Sequence, residues 1–391
     1  MLLENAAYPQ DERVRQEATT LAAAGYQVSV ISRSWEDQLS RELVDGVHVF
    51  RFPGAPSASG FVGYLWEYGY SMLVMFALSL SVLMDKGFDI IHAHHPPDTS
   101  AFIAGFYKLF GKRYVLDHHD LTPELYCSLF GDGGNRLVYR TLVLLEKLSC
   151  RLADCVIATN ESYKAIEMQR DRVPEQRIHV VRNGPSHERL QPVEPDPALR
   201  QKANTVLGYV GAMGPQDGVD YLLRAVHFLI HDLGREDVFC VIVGMGSVLP
   251  DLKALAKELQ IDEHVWFTGW VADEDMVRYL STADICVDPD PSNPLNDRST
   301  MAKMMEYMAL GKPIVAFDLP EHRFSAQNAA VYAHPNDELD FARQIALLMD
   351  DPERRNQMGR LGKERVEKEL GWSHQSKKLL HAYETLKRGT K

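Results

Sequence analysis

The stretch from Asp297 to Asp318 concentrates residue types that can hold a diphosphate and a sugar. Its pattern predicts a polar loop, a helix over Ser299–Leu310, a glycine stop and a buried strand over Ile314–Phe317. Ser299 or Thr300 is the candidate cap, and Gly311 with Pro313 ends the helix. Arg298 stands at the mouth of that helix. Lys303 and Glu306 are three residues apart and share one helix face. Backbone N–H groups at a helix start, together with two cations, suit a diphosphate. A carboxylate one turn further on can accept hydrogen bonds from a sugar or ribose hydroxyl. The same spacing also fits a surface helix with a solvated Lys–Glu pair.

Two other constellations invite metal chemistry. Asp288-Pro289-Asp290 is an Asp-x-Asp that could bind a divalent ion on a diphosphate, or form an ordinary turn. His92, His94, His95 and Asp98, with His118 and His119, suggest a metallohydrolase, but Pro96 stands where a further aspartate is needed.

Parallel α/β layers are the elements that must carry these residues, because short apolar runs alternate with amphipathic stretches throughout. In the first half, strands are expected at Gln27–Ile31, Val47–Arg51, Ile90–Ala93, Arg113–Asp117, Cys155–Thr159 and Ile178–Val181. Leu2 and Leu3 read as the remnant of an earlier strand. Helices are expected at Arg13–Ala24, 64–86, Ser100–Phe110, Leu137–Leu152 and Glu161–Arg170, with Asn160 capping the last. A break with four prolines runs from Pro185 to Ala203. The same grammar then restarts. Strands are expected at Val206–Val210, Phe239–Val243, Val265–Thr268, Ile285–Val287 and Ile314–Phe317. Helices are expected at Val219–Leu233, Leu249–Leu259, Asp273–Leu280, Ser299–Leu310, 338–350 and 352–369, with a last one from about His374 to Lys387. The division is thus residues 1–190, a linker at 191–203, residues 204–370, and a C-terminal helix at 371–391 packing toward the first domain. Two doubly wound domains leave a cleft, and ligands bind outside the carboxyl ends of such strands.

Composition narrows the function classes. The chain has 391 residues, 45% hydrophobic and 25% charged, with a formal net charge of −12. That charge argues against a nucleic-acid partner. Five cysteines without a Cys-x-x-Cys pair fit reduced thiols in the cytoplasm. The first residues lack the basic start and apolar run of a signal peptide. Phe61 to Met84 is apolar, yet Glu67, Ser71 and several tyrosines weaken a spanning role. A buried or half-buried helix is the expectation there. An interfacial helix is the alternative, since Tyr64, Trp66, Tyr68 and Tyr70 favour that zone.

Motifs in order along the chain resemble a family 4, or group 1, glycosyltransferase of GT-B fold. They are Tyr8-Pro9-Gln10-Asp11-Glu12-Arg13, Asp117-His118-His119-Asp120-Leu121-Thr122-Pro123-Glu124, Val181-Arg182-Asn183-Gly184, Val241-Ile242-Val243-Gly244-Met245-Gly246, Phe267-Thr268-Gly269-Trp270-Val271 and Glu306-Tyr307-Met308-Ala309-Leu310-Gly311-Lys312-Pro313. The resemblance covers nearly the whole chain. Two departures stand out. The family's Glu-x7-Glu matches Glu306 at its second position, but its first falls on Arg298. The family's Arg and Lys in the first loop of the second domain fall on Ala212 and Asp217.

The resemblance implies a retaining transfer from a nucleotide-diphosphate sugar. No cofactor is expected to be required, with a divalent metal on Asp288 and Asp290 as the less favoured alternative. Arg298 and Lys303 would replace the missing cations on the diphosphate, aided by N–H groups of Gly211, Ala212, Met213 and Gly214 and by the helix start at Ser299 and Thr300. Glu306 would bind the ribose, and Asp297 part of the sugar. Gly244, Gly269 and Trp270 would complete the donor side. His119 resembles the family histidine near the reacting face of the sugar. Arg13, Asp120 and Glu124 are acceptor-side candidates. The acceptor would be a glycan or a polyprenyl-diphosphate-linked sugar, used in surface polysaccharide or glycoconjugate synthesis. The enzyme would then be cytoplasmic and peripheral at the inner membrane face, with Arg13, Arg15 and Arg33 adding cations there. A GT-B-shaped nucleotide-sugar epimerase and a non-catalytic nucleotide-sugar-binding protein are the alternative readings.

Overall fold

A computed structural model of the chain describes residues 1–35, 38–55, 60–130 and 134–388. The chain packs as two compact units, one formed by Met1–Cys127, Asp132–Arg182 and Gln375–Lys391, the other built on Asn183–His374.

The first half runs β1 (Leu2–Ala7), α1 (Glu12–Ala23), β2 (Ser29–Arg33), β3 (Arg41–Val44), β4 (Val47–Phe52), α2 (Gly60–Asp85), β5 (Ile90–His94), α3 (Ser100–Lys108), β6 (Arg113–His118), α4 (Thr122–Phe130), α5 (Arg136–Leu152), β7 (Cys155–Ala158), α6 (Glu161–Gln169) and β8 (Ile178–Val180). Its sheet has the order β3-β4-β2-β1-β5-β6-β7-β8. All neighbours are parallel except the edge pair β3 and β4. That hairpin closes through Asp45-Gly46, both at positive φ, the backbone a two-residue hairpin turn requires. Local chemistry sets the helix starts. Asp11, Asn135 and Asn160 each accept a backbone N–H at the head of α1, α5 and α6.

The second half runs α7 (Pro197–Arg200), β9 (Thr205–Val210), α8 (Val219–His227), β10 (Val238–Val243), α9 (Leu249–Glu258), β11 (Val265–Gly269), α10 (Asp273–Thr282), β12 (Ile285–Asp288), α11 (Ala302–Ala309), β13 (Ile314–Phe317), α12 (Pro320–Ala326), β14 (Ala330–Ala333), α13 (Glu338–Met349), α14 (Pro352–Arg365) and α15 (Trp372–Arg388). Its six strands are parallel in the order β11-β10-β9-β12-β13-β14. Strand alternation splits the core across the two sheet faces. Leu207 and Tyr209 pack with Leu222, Val226 and Phe341 on one face. Val206, Val241 and Cys286 pack with Leu280, Met304 and Met308 on the other. Each such fully buried aliphatic side chain stabilises the unit by about 1.5–3 kcal/mol.

Three expectations are corrected here. The stretch 191–203 is not a free linker. Leu199 is buried in the second core, Asp196 N donates to Thr282 Oγ1 at 2.7 Å, and Arg200 pairs with Asp284. The chain passes between units at Arg182–Asn183 and again at His374–Gln375. From Gln375 onward α15 belongs to the first unit, where the Tyr383 hydroxyl meets His92 Nδ1 at 2.8 Å. Finally, α11 starts at Ala302, not Ser299, and its cap position is Met301, without a side-chain cap. Ser299 Oγ instead donates to the Leu295 carbonyl.

Candidate functional site

The second sheet reverses its strand order between β9 and β12. Loops leaving those two strands diverge, which opens a space at their carboxyl ends. Most of the candidate donor residues gather around this point.

The loop after β9 is stitched down by its own backbone. Gly211 N donates to Val243 O at 3.1 Å, and Met213 N to Met245 O at 3.0 Å. Gly214 N donates to Asp217 Oδ2 at 2.7 Å. These N–H groups are therefore engaged inside the unit, which corrects the expectation that Gly211, Met213 and Gly214 offer them to a diphosphate. Exposed Ala212 turns its carbonyl to the Tyr209 hydroxyl at 2.9 Å. Gly244, at the head of the next loop, has φ +133°, and a Cβ there would sit 1.9 Å from the Gly211 carbonyl oxygen. Only glycine lets the two loops touch. Gly244 N in turn donates to Gly269 O, beside exposed Trp270.

Lys303 lies under this loop. A Cβ on Gly211 would meet its Cε at 3.2 Å. Its ammonium donates to Asp290 Oδ2 at 2.5 Å and lies 3.5 Å from Asp288 Oδ1, with the Tyr209 ring 5.3 Å away. Burial opposes the charge on Lys303, but Asp288 and Asp290 outweigh it and hold the ammonium protonated. Burial pushes Asp288 up as well, yet Lys303 and His322 bring it below the usual carboxylate range. Asp290 moves the other way, raised first by burial and then by the Asp288 charge. The two carboxylates titrate as a pair around the ammonium. This corrects the direct phosphate role expected for Lys303: the cation is already matched. Asp288, Asp290 and His322 lie close enough to share a metal ion, but the ammonium sits on both carboxylates.

Arg298 is half-buried on the loop before α11, where its Nη1 donates to the Pro294 carbonyl at 2.5 Å. Thr300 Oγ1 donates to Glu321 Oε2 at 3.3 Å. Asp297 Oδ1 is buried without a hydrogen-bond partner in the structure.

Glu306, 18% exposed on α11, accepts a hydrogen bond from Arg189 Nη1 at 2.7 Å on Oε1. The same guanidinium grips Asp273 with Nε and Nη2 at 2.8 and 3.0 Å. Sequence reasoning missed Arg189, because it lies in a proline-rich stretch with no periodic pattern. Lys303 and Glu306 share a helix but serve different partners.

In the first unit the order reverses between β1 and β5, and a second polar network occupies that end of the sheet. Arg13 holds Asp117 bidentately at 2.7 and 2.6 Å, and lies 3.3 Å from Glu17. Both His94 Nδ1 and His119 Nδ1 reach Asp117 Oδ2, at 2.9 and 3.2 Å. Burial disfavours the Asp117 charge, but Arg13 overcomes it and keeps the carboxylate ionised. Burial lowers His94. For His119 burial is outweighed by Asp117, and its pKa rises. Of these residues His119 alone is half-buried rather than buried, so its imidazole is the outlet of the network. Its neighbour His118 turns into the core, 3.0 Å from Glu167 Oε1.

Three acceptor-side expectations meet this geometry differently. Arg13 and Glu124 are corrected: Arg13 is buried on Asp117, and Glu124 is buried on Arg170 at 2.5 Å. Asp120 stays half-buried beside His119, its pKa raised by burial. Arg15 and Arg33 are also paired, with Asp45 and with Glu4 and Glu67. Glu17, His92, His94 and Asp117 cluster closely enough for a metal, but Arg13 already supplies the positive charge. The dinuclear hydrolase pattern is not assembled among the described residues, since His95 pairs with Asp98 instead.

Residues 10–184 match the model of the glycosyl transferase 4-like domain, and residues 204–351 that of the glycosyl transferases group 1. The chain is 27% identical over 300 residues to alpha-maltose-1-phosphate synthase of Mycolicibacterium smegmatis, covering 70% of this chain and 73% of that protein. Among solved structures, sucrose-phosphate synthase of Thermosynechococcus elongatus superposes with a TM-score of 0.81 at 19% identity, over 100% of this chain and 99% of the other. Anabaena Alr3699/HepE in complex with UDP-glucose gives 0.72 at 15% identity, over 98% and 99%.

Proposed function

The chain belongs to the group 1 glycosyltransferases of GT-B fold, and from that premise we propose that it transfers a sugar from a nucleotide-diphosphate donor with retention of anomeric configuration. The observation that carries the donor assignment is Glu306, a half-buried carboxylate held by Arg189 beside the switch point of the second sheet. Held on one oxygen, it can accept from a ribose hydroxyl on the other. The complex of Alr3699/HepE with UDP-glucose supports a nucleotide sugar as donor.

The reaction passes through an oxocarbenium-like state while negative charge grows on the leaving diphosphate. Arg298 and the start of α11 stabilise that charge. Lys303, bound to Asp288 and Asp290, holds the floor beneath it. His119, fixed by Asp117, serves the reacting sugar, and Asp120 the acceptor. No divalent metal is required, because the Lys303 ammonium takes the place a metal would hold on Asp288 and Asp290. We assign the acceptor to a glycan or a polyprenyl-diphosphate-linked sugar at the cytoplasmic membrane face, in surface polysaccharide or glycoconjugate synthesis. The apolar outward side of α2 supports that assignment. Glycosyltransferase relatives favour transfer over epimerisation or binding alone.

A thermal-shift screen of nucleotide sugars identifies the donor, because a ligand of the folded state raises apparent stability. Glu306→Gln then raises the donor KM and lowers turnover. Unchanged donor kinetics in that variant would remove Glu306 from the ribose.

A further inference from the structure

We propose that the outer surface of α2, α3 and α5 is a docking surface for an anionic lipid bilayer. The proposal deepens the membrane assignment above and stands independently of the donor site.

Right-handed crossovers from β4 to β5, β5 to β6 and β6 to β7 place these helices in one layer on one face of the first sheet. The layer is continuous. Phe76 of α2 meets Phe106 of α3 at 5.1 Å between ring centroids, and Lys108 of α3 donates to Leu152 O of α5 at 2.7 Å.

Each helix turns apolar or cationic side chains outward. In α2 the buried stripe is Ser71, Met75, Ser79 and Val82, so Trp66, Leu73 and Met84 face solvent at 52, 73 and 82% exposure. No charged residue occurs between Glu67 and Asp85. The segment Trp66–Asp85 is long and apolar enough to cross a membrane, and 22% of it is buried. Its buried stripe is packed on the sheet, so it lies against the unit and presents its other side. At α3, Phe102 and Phe106 are exposed one turn apart, and Leu109 and Phe110 follow at its end. On α5, Leu137, Leu144 and Leu148 are exposed among Arg136, Arg140, Lys147 and Arg151. The one acid of α5, Glu146, is buried against Arg170.

Exposed apolar side chains grouped on neighbouring helices of one layer mark an interaction surface. Two occupants could cover it: a membrane or a second copy of this chain. Charge decides between them. A face-to-face pair of copies sets the α5 cations against one another, which is repulsive. An anionic bilayer accepts the aromatic and leucine side chains into its interface and attracts the cations. The chain as a whole carries −12, so this cationic surface runs against the general charge.

The test is flotation of the full chain with vesicles of phosphatidylcholine alone or mixed with phosphatidylglycerol. Binding is expected to be weak to phosphatidylcholine alone, tighter to the anionic vesicles, and in the anionic case to fall with added salt. Arg140→Gln with Lys147→Gln should lower it by roughly 25-fold, at about fivefold per cation near such a surface. Phe106→Ser with Leu109→Ser should weaken binding to both vesicle types. Nucleotide-sugar thermal shifts, unchanged in both variants, show that fold and donor site survive. Absence of vesicle binding, or binding indifferent to all four substitutions, overturns the proposal while leaving the transferase reading intact. A dimer in solution that the same substitutions dissolve also overturns it.

Discussion

Arg189 Nη1 donates to Glu306 Oε1 at 2.7 Å, and its other nitrogens clamp Asp273 at the head of α10. One guanidinium thus fixes the orientation of the proposed ribose-binding carboxylate. Arg189→Ala is expected to raise the donor KM by roughly tenfold or more, since a hydrogen bond to a charged group contributes about 1.5–3 kcal/mol. Turnover at saturating donor should change less. Arg189→Lys should recover part of the loss. A donor KM untouched by Arg189→Ala sinks this assignment.

Lys303 separates a structural cation from a phosphate-gripping one. Lys303→Met leaves ionised Asp288 buried without its partner, a change that costs about 3–5 kcal/mol. Urea unfolding should show this loss, and adding Asp288→Asn with Asp290→Asn should restore most of it. A Lys303→Met protein as stable as the parent but inactive would mean that the ammonium acts on the donor. Undiminished turnover in EDTA checks the companion claim that the ammonium stands in for a metal.

Arg298 should behave in the opposite way. Its Nη1 donates to the Pro294 carbonyl on a loop. Arg298→Ala is expected to lower kcat/KM by at least about tenfold, as removing one charge-assisted hydrogen bond from the transition state would do. The thermal midpoint should stay within a degree or so of the parent, surface changes of this kind usually falling within about 0.5 kcal/mol. Full activity in this variant would show that the leaving group finds its counter-charge elsewhere.

The core of the first unit makes stability pH-dependent. Burial opposes protonation of His118, but Glu146 and Glu167 outweigh it and raise its pKa well above the ordinary histidine value. Burial and Glu146 push Asp171 up to about 7. Above pH 6.5 the folded unit therefore holds protons that the unfolded chain has released. The contribution of these two groups to stability falls as pH rises through that range, while the buried Met1 amine, lowered to about 5, acts in the opposite sense up to about pH 8. Differential scanning calorimetry from pH 6.5 to 9 should show the parent losing stability relative to His118→Gln as pH rises. A stability difference between parent and His118→Gln that grows with pH over this window contradicts the sign.

Much of the fold is legible in the sequence because burial on both faces writes parallel strands as plain apolar runs. The pattern gives Ile314–Phe317 at its observed limits, and it ends Ile90–Ala93 and Arg113–Asp117 one residue short. Edge strand β3 escapes the pattern, since only its alternate positions are partly covered. Asp45-Gly46 is the signal that could reveal it. The pattern starts the helix before the Gly311-Lys312-Pro313 stop three residues early. Ser299 and Thr300 are good cap residues by type, but the local Leu295 carbonyl and the more distant Glu321 claim their hydroxyls.

For the site, residue types are readable and pairings are not. Glu306 and His119 stay partly accessible, but Lys303, Arg13 and Glu124 are absorbed by carboxylates or cations on other elements. A linear pattern cannot show that Asp117, 104 residues from Arg13, lies within hydrogen-bond reach of it.

The first unit takes its closing helix from the far end of the chain, where Tyr383 meets His92 and Gln375 accepts from the Arg182 backbone. During synthesis on the ribosome, the second unit is therefore whole before the first. A fragment stopping at residue 182 leaves the His92 imidazole without its phenol lid, so expressing the N-terminal half by itself demands that residues 375–388 be supplied, as a grafted tail or a separate peptide.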